Sequence, residues 1–285
     1  MAAAGAASRP AGEVAGHSCA SAAGLAHIAL LPFARRTSHH WRMDMLKALS
    51  LSKSFGSRQA VASVSFSLSR AETVAFLGPN GAGKSTTLRM LSGYLEPDTG
   101  DAWISGASIQ LQRIRAQRFL GYLPEGAPLY PELSGRDFLA FLALVHGLEG
   151  KAARDAVGRA AEAAGIGDRL AQPIDTLSKG YRRRLSLAGA IIHDPPVLIL
   201  DEPTDGLDPH QKIAMRDLIR RMGRQKAILI STHQLDEVEA MCSRAILIAR
   251  GRIVADLSLA ELARTTPGGR LEDAFLALTT PGPAP

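Results

Sequence analysis

Thr73-Val74-Ala75-Phe76-Leu77-Gly78-Pro79-Asn80-Gly81-Ala82-Gly83-Lys84-Ser85-Thr86 is the stretch that decides the fold. Its first five residues form a short apolar, partly β-branched run, the pattern of a buried strand. The nine that follow match the phosphate-loop pattern G-x-x-x-x-G-K-[ST]. Gly78, Gly81 and Gly83 let the backbone turn tightly, so that successive N–H groups point inward at an anion. A helix expected over about residues 86–92 adds its positive N-terminal end to the same pocket. Residues 78–86, including Pro79, Asn80, Ala82 and Thr86, are therefore the expected nucleotide-binding loop. Lys84 should reach the β- and γ-phosphates, and the Ser85 hydroxyl should ligate Mg²⁺. The competing explanation is an ordinary glycine turn; a strand before it and a helix after it favour the phosphate loop.

Residues 197–200 (Val-Leu-Ile-Leu) read as a second buried strand, and they end in the carboxylates Asp201 and Glu202. Taken alone, an Asp-Glu pair at a strand end is most simply a solvated loop entry. Beside a phosphate loop it reads differently. Asp201 is then expected to hold the metal through water, and Glu202 to accept a proton from the water that attacks the γ-phosphate.

With these two motifs in place, Leu177-Ser178-Lys179-Gly180-Tyr181, Asp205-Gly206-Leu207-Asp208-Pro209 and Ser231-Thr232-His233 complete an order that resembles the ATP-binding cassette (ABC) family over residues 45–279. The family has Leu-Ser-Gly-Gly-Gln at the first of these positions; here Ser178 and Gly180 are kept while Lys179 and Tyr181 depart. Glu125, in Gly121-Tyr122-Leu123-Pro124-Glu125, stands where the family has a glutamine. Both departures resemble the branch that energises ABC-2-type exporters. A carboxylate at 125 could still ligate Mg²⁺ or orient water, adding negative charge near the metal.

The resemblance implies a fold, a site and partners. The fold is an α/β P-loop NTPase core, a mostly parallel sheet flanked by helices, with an N-terminal antiparallel β-subdomain and an inserted helical subdomain at about residues 126–190. The ligands are ATP and Mg²⁺. His233 is the candidate switch histidine, bonding the γ-phosphate and holding Glu202 and water in line. Asp208 is a contact to a partner subunit. Ser178 and Gly180 are expected to touch the γ-phosphate bound by another subunit, so one chain cannot complete a site; a head-to-tail dimer with itself or a similar chain follows. Ser178 is equally a good helix N-cap in its own right. Phe55 occupies the position where the family stacks an aromatic on adenine, and a core Phe is its rival. The other partner implied is an integral-membrane permease, with the cassette peripheral on the inner face of the cell membrane. Importer subunits and soluble ABC proteins of translation or repair are the alternatives; the latter carry two cassettes or long coiled coils, which this chain lacks.

Within the insert, Ser134-Gly135-Arg136-Asp137 reads as a capped helix start, followed by Phe138, Phe141, Leu142 and Val145 at helical spacing. Core packing is the expected use of those Phe residues. A second helix is expected over about residues 152–164. Arg182-Arg183-Arg184 reads as a solvated helix face, with permease or lipid-headgroup contact as the alternative. A closing hairpin is expected over residues 245–255 and a terminal helix over residues 271–279.

At 285 residues and 46% hydrophobic content, the chain can bury one α/β core and a small helical lobe. The apolar stretch at residues 25–34, broken by His27 and Pro32, is too short to span a bilayer, so any pore is expected to be another polypeptide. Two cysteines, Cys19 and Cys242, exclude a disulfide framework. Half of the net charge of +6 lies in residues 1–43, leaving the rest near balance and giving no nucleic-acid surface. Residues 1–43 are Ala/Gly/Ser-rich and carry no motif; a misassigned start or a floppy tail is favoured there over a targeting segment, because the basic stretch follows the apolar one. The ATPase domain is expected over residues 44–280, with a short tail at 281–285.

Overall fold

The computed structural model describes residues 44–126, 128–266 and 268–280. The expectations for residues 1–43, with Cys19, and for 281–285 lie outside the described residues. The chain opens with β1 (Asp44–Phe55) and β2 (Arg58–Ser69), paired antiparallel. Val64, Phe66 and Leu68 alternate with less buried residues along β2, the mark of a sheet with one covered face. The expected strand follows as β3 (Thr73–Leu77), buried at every residue, and then α1 (Lys84–Leu91), which starts two residues earlier than the sequence pattern indicates. β4 (Thr99–Ile104) and the short β5 (Ala107–Ser108) return to the first sheet, giving the order β2-β1-β4-β5. This is the antiparallel subdomain that the family resemblance implies.

The chain continues through α2 (Arg113–Arg118) and β6 (Leu120–Leu123) into three helices: α3 (Gly135–Val145), α4 (Gly150–Ala164) and α5 (Lys179–Ala190). β7 (Val197–Asp201), α6 (Pro209–Gly223), β8 (Ala227–Ser231) and α7 (Leu235–Met241) complete the central layer. β9 (Arg244–Ala249), β10 (Arg252–Ser258), α8 (Leu259–Ala263) and α9 (Leu271–Thr279) follow. The second sheet has the order β10-β9-β3-β8-β7-β6, parallel except for the β9–β10 hairpin. β3, β7 and β8 are buried at every position, as strands covered on both faces must be. Register sets Phe76 and Asp201 both opposite Ser231, so the carboxyl ends of β3, β7 and β8 open onto one edge. That edge is where ligands bind in open α/β sheets.

The β9–β10 hairpin turns at Arg250 and Gly251, both with positive φ. Gly251 N–H donates to Ala82 O at 2.9 Å and its carbonyl accepts from Ala62 N–H at 2.8 Å. A Cβ at Gly251 would lie 2.7 Å from Ala60 O, so only glycine lets the hairpin tip brace the phosphate loop this closely.

The inserted helices have a core of their own, in which Phe138, Leu139 and Ala143 of α3 meet Val157, Ala160 and Ala161 of α4 and Leu185 and Ala188 of α5. Ser134 caps α3 as expected, accepting from Asp137 N–H at 3.1 Å. The expectation of a buried Phe stripe needs correction. Phe138 is in the core, but Phe141 is 45% exposed and Val145 64%, with Tyr130 edge-on to the Phe141 ring. α4 presents small alanines, so the face of α3 it covers is narrow and the flank of the stripe is left outside. Where this lobe meets the central layer, His146 and His193 stack with ring centroids 3.6 Å apart. Burial lowers the pKa of both, His193 to about 4, so the stack is of neutral rings and His193 Nε2–H donates to Leu120 O at 3.2 Å.

Candidate active site

β3 delivers the chain into the phosphate loop and α1 takes it out. Gly83, the N-cap of α1, has φ 109°, and a Cβ there would lie 2.7 Å from Ala60 O. The loop thus closes against β2 as only glycine permits. Lys84 curls over it, donating from Nζ to Gly78 O at 2.7 Å and Pro79 O at 3.2 Å. Burial lowers the Lys84 pKa, opposed by the charges of Glu202, Asp201 and Glu125. A cation is therefore held partly desolvated against two carbonyls of the loop. A cavity of about 450 Å³ opens over this loop, lined by Phe55, Arg58, Ala60, Asn80, Gly81, Gly83, Lys84, Ser85 and Thr86. Phe55 is 53% exposed at its rim, which removes the core reading of this residue. Arg58, which the sequence pattern did not single out, shares the rim.

Asp201 and Glu202 leave the end of β7 beside Lys84. Asp201 is buried, and burial raises its pKa, with the neighbouring Glu125 and Glu202 carboxylates adding to the shift and Lys84 opposing it. Glu202 adopts φ 49°, a left-handed backbone that costs a non-glycine residue free energy. Its N–H donates to Ser231 O at 2.8 Å, and its Oε1 lies 2.9 Å from His233 Nδ1. Glu202 Oε2 is buried without a hydrogen-bond partner among the described residues, a feature that fits an acceptor for a water.

Ser178 and Gly180 do not line this cavity. Ser178 is the N-cap of α5, its Oγ accepting from Tyr181 N–H at 3.3 Å, and Gly180 lies against the side chain of Gln211. Asp208 caps α6, accepting from Gln211 N–H at 2.9 Å, and is exposed. The N-termini of α5 and α6 thus form one surface, and Lys179 pairs with Asp205 across it at 3.4 Å. Tyr181 turns away, its hydroxyl donating to the Asp168 carboxylate at 2.9 Å and its ring held between Arg169 and Arg184. The expectation for Arg182-Arg183-Arg184 also needs correction. Only Arg182 is exposed, because successive helical residues point about 100° apart and cannot share one solvated face. Arg183 is buried and bonds the backbone carbonyls of Glu125 and Glu202.

A parallel sheet with a phosphate loop, two strand-end carboxylates and a histidine at one edge defines a nucleotide-hydrolysing P-loop ATPase. The family described as ABC transporter matches residues 61–205. The linearmycin resistance ATP-binding protein of Bacillus subtilis (strain 168) is 32% identical over 239 residues, 84% of this chain and 76% of that protein. Nod factor export ATP-binding protein I of Burkholderia orbicola (strain AU 1054) is 38% identical, over 73% of this chain and 68% of that protein. A solved ATP-binding subunit of an ABC transporter superposes with a TM-score of 0.75 at 29% identity, covering 82% of this chain and 99% of that one. The chain belongs to the ABC transporter family, as an ATP-binding subunit with ATPase activity. No helix among the described residues is long and apolar enough to cross a membrane.

Proposed function

We propose that this chain drives export through a separate ABC-2-type permease, from the inner face of the membrane, by hydrolysing Mg²⁺-ATP in a head-to-tail dimer. The observation that carries the catalytic part is Glu202, with one oxygen on His233 and the other buried and unpartnered. Glu202 Oε2 takes the proton of the attacking water, and His233 fixes the carboxylate while facing the γ-phosphate. Lys84 releases its loop carbonyls to reach the β- and γ-phosphates, with backbone N–H groups of the loop and of the start of α1 around them. Ser85, Asp201 and Glu125 would hold Mg²⁺; the Glu125 carboxylate lies near enough to Asp201 to raise its pKa, and a shared cation would relieve that repulsion. When bound, that ion neutralises charge developing on the phosphate oxygens. Ser178 and Gly180 donate to the γ-phosphate held by the partner subunit from the N-terminus of α5, where Ser178 is exposed and Gly180 lies buried against Gln211. Asp208 lies on the same surface.

Phe55 stacks on the adenine. Phe55→Ala is expected to weaken ATP binding about tenfold, as the loss of one base–aromatic stack does, with kcat unchanged. Titration with a fluorescent ATP analogue beside a turnover assay checks it, and unaltered affinity would return Phe55 to the role of a rim residue.

Export is supported by Lys179, Tyr181 and Glu125, departures that resemble the exporter branch, and by relatives whose names specify Nod factor export and linearmycin resistance. The test is affinity purification of the tagged chain from detergent-solubilised native membranes. A stoichiometric polytopic partner without a substrate-binding protein is the expected result. A partner accompanied by a binding protein would indicate import, and recovery only in the soluble fraction would overturn the transport role.

A further inference from the structure

We propose that Arg183 is a positioning residue for hydrolysis, its guanidinium holding the backbone at Glu125 and at residues 201–203 in fixed register with the helix that begins at Ser178. The inference rests on the reading of Glu202 as the carboxylate that activates water.

Arg183 is 8% exposed and lies on α5, five residues beyond the Ser178 cap. Among the described residues, all of its hydrogen bonds go to backbone carbonyls. Nη1 donates to Pro124 O at 2.8 Å and Glu125 O at 2.9 Å. Nη2 donates to Asp201 O at 2.5 Å and Glu202 O at 2.6 Å, and Nε to Pro203 O at 3.3 Å. The five acceptors belong to two segments, the loop leaving β6 (Pro124 and Glu125) and the end of β7 with the residues that follow it (Asp201, Glu202 and Pro203). The pairing of those strands ends at Leu123 with Leu200, so past that point the guanidinium spans the gap between them. A planar fork with five donors suits this task; an ammonium with three donors around one nitrogen does not.

Energetics point the same way. Arg183 forms no ion pair among the described residues, although burial disfavours its charge. Asp201, Asp205, Glu202 and Glu125 lie near enough to favour that charge without touching it. A buried cation satisfied by carbonyls alone is a costly way to fill a core. Here each carbonyl belongs to the two segments that carry the acids of the site, and one of them is that of Glu202, whose left-handed backbone needs restraint to persist. Ser178 and Arg183 ride on the same rigid helix, about 7.5 Å apart along its axis. A shift of the Ser178 end therefore reaches the Glu202 backbone through Arg183.

The experiment compares Arg183→Met, Arg183→Lys and Glu202→Gln with the unmodified full chain, measuring affinity for a fluorescent ATP analogue, KM, and kcat per nucleotide-binding site. Arg183→Met is expected to lower kcat per site about 30-fold or more with affinity and KM within about threefold, because misplacement near 1 Å costs on the order of 100-fold. Arg183→Lys is expected to fall between it and the unmodified chain. If Arg183 is only structural, its variants yield less binding-competent protein but an unchanged kcat per site, and the inference is overturned. Should Arg183→Met not fold, Arg183→Lys decides: reduced kcat at constant KM supports the inference, and kcat per site within about threefold of normal overturns it. Failure of both variants to bind ATP, in proportion to lost native protein, assigns a structural role and also overturns it. An inactive Glu202→Gln beside fully active Arg183 variants would refute this inference alone. An active Glu202→Gln would remove the reading on which it rests.

Discussion

Glu202→Gln is expected to lower kcat about 100- to 10,000-fold, the span attributed to a positioned general base, while ATP affinity stays within about threefold. The geometry isolates the proton-accepting role. Glutamine has the size of glutamate, can place its carbonyl oxygen on the His233 side at the 2.9 Å now spanned by Glu202 Oε1, and meets the same backbone constraint at φ 49°. What it lacks is a second anionic oxygen at the buried position of Oε2. Phosphate contacts from Lys84 and the loop N–H groups are untouched, so binding should persist while turnover stops. An ATP-loaded dimer should then accumulate under saturating Mg²⁺-ATP, visible by size exclusion with light scattering and reversed by removing nucleotide. Turnover within about tenfold of normal would show that Glu202 is not the base, and attention would pass to His233.

How far this site can be read from sequence depends on the kind of contact involved. Residues 73–86 are legible because strand, turn and helix are each written locally: a fully buried apolar run, glycines where the backbone reverses, and a lysine at the helix start. The 197–202 segment is legible for the same reason. Contacts made by side chains across long separations leave no such trace. The carbonyls that Arg183 bonds lie 18 to 59 residues away in the chain, and the two arginines flanking it make it look like part of a solvated face. Phe55 is undecided in sequence because an aromatic at a strand end serves a core or a rim equally well; its 53% exposure decides. Phe141 fails as a core residue for a related reason. Periodicity locates an apolar stripe, but how much of it is covered depends on the bulk of the facing helix, here alanines. Lys179 and Tyr181 stand out in sequence only as departures from a pattern. The structure gives each a partner, Asp205 and Asp168, that no spacing indicates.

Mixing two inactive variants is expected to restore turnover, if each ATP is shared between copies as proposed. Lys84→Ala removes the cation that grips the phosphates. Ser178→Asp sets a carboxylate against the γ-phosphate on the facing subunit, yet aspartate is itself a good N-cap, so α5 keeps the cap that Ser178 now provides through Tyr181 N–H. Neither variant alone can form a working site, because every dimer then carries two damaged loops or two damaged helix ends. In a mixed head-to-tail dimer, the intact loop of the Ser178→Asp chain meets the intact helix end of the Lys84→Ala chain. One site is whole and the other has both defects. Random pairing at equal concentrations makes half the dimers mixed, so up to about a quarter of normal turnover should return. It should rise with total protein as dimers form, since the second chain acts by mass action. The placement of Ser178 and Gly180 outside the cavity formed by residues 55–86 of the same chain is the observation behind this expectation. If the mixture stays as inactive as its components, while the unmodified chain turns over under the same conditions, the helix end does not act across the interface and its N-cap role at Ser178 is the whole of its contribution.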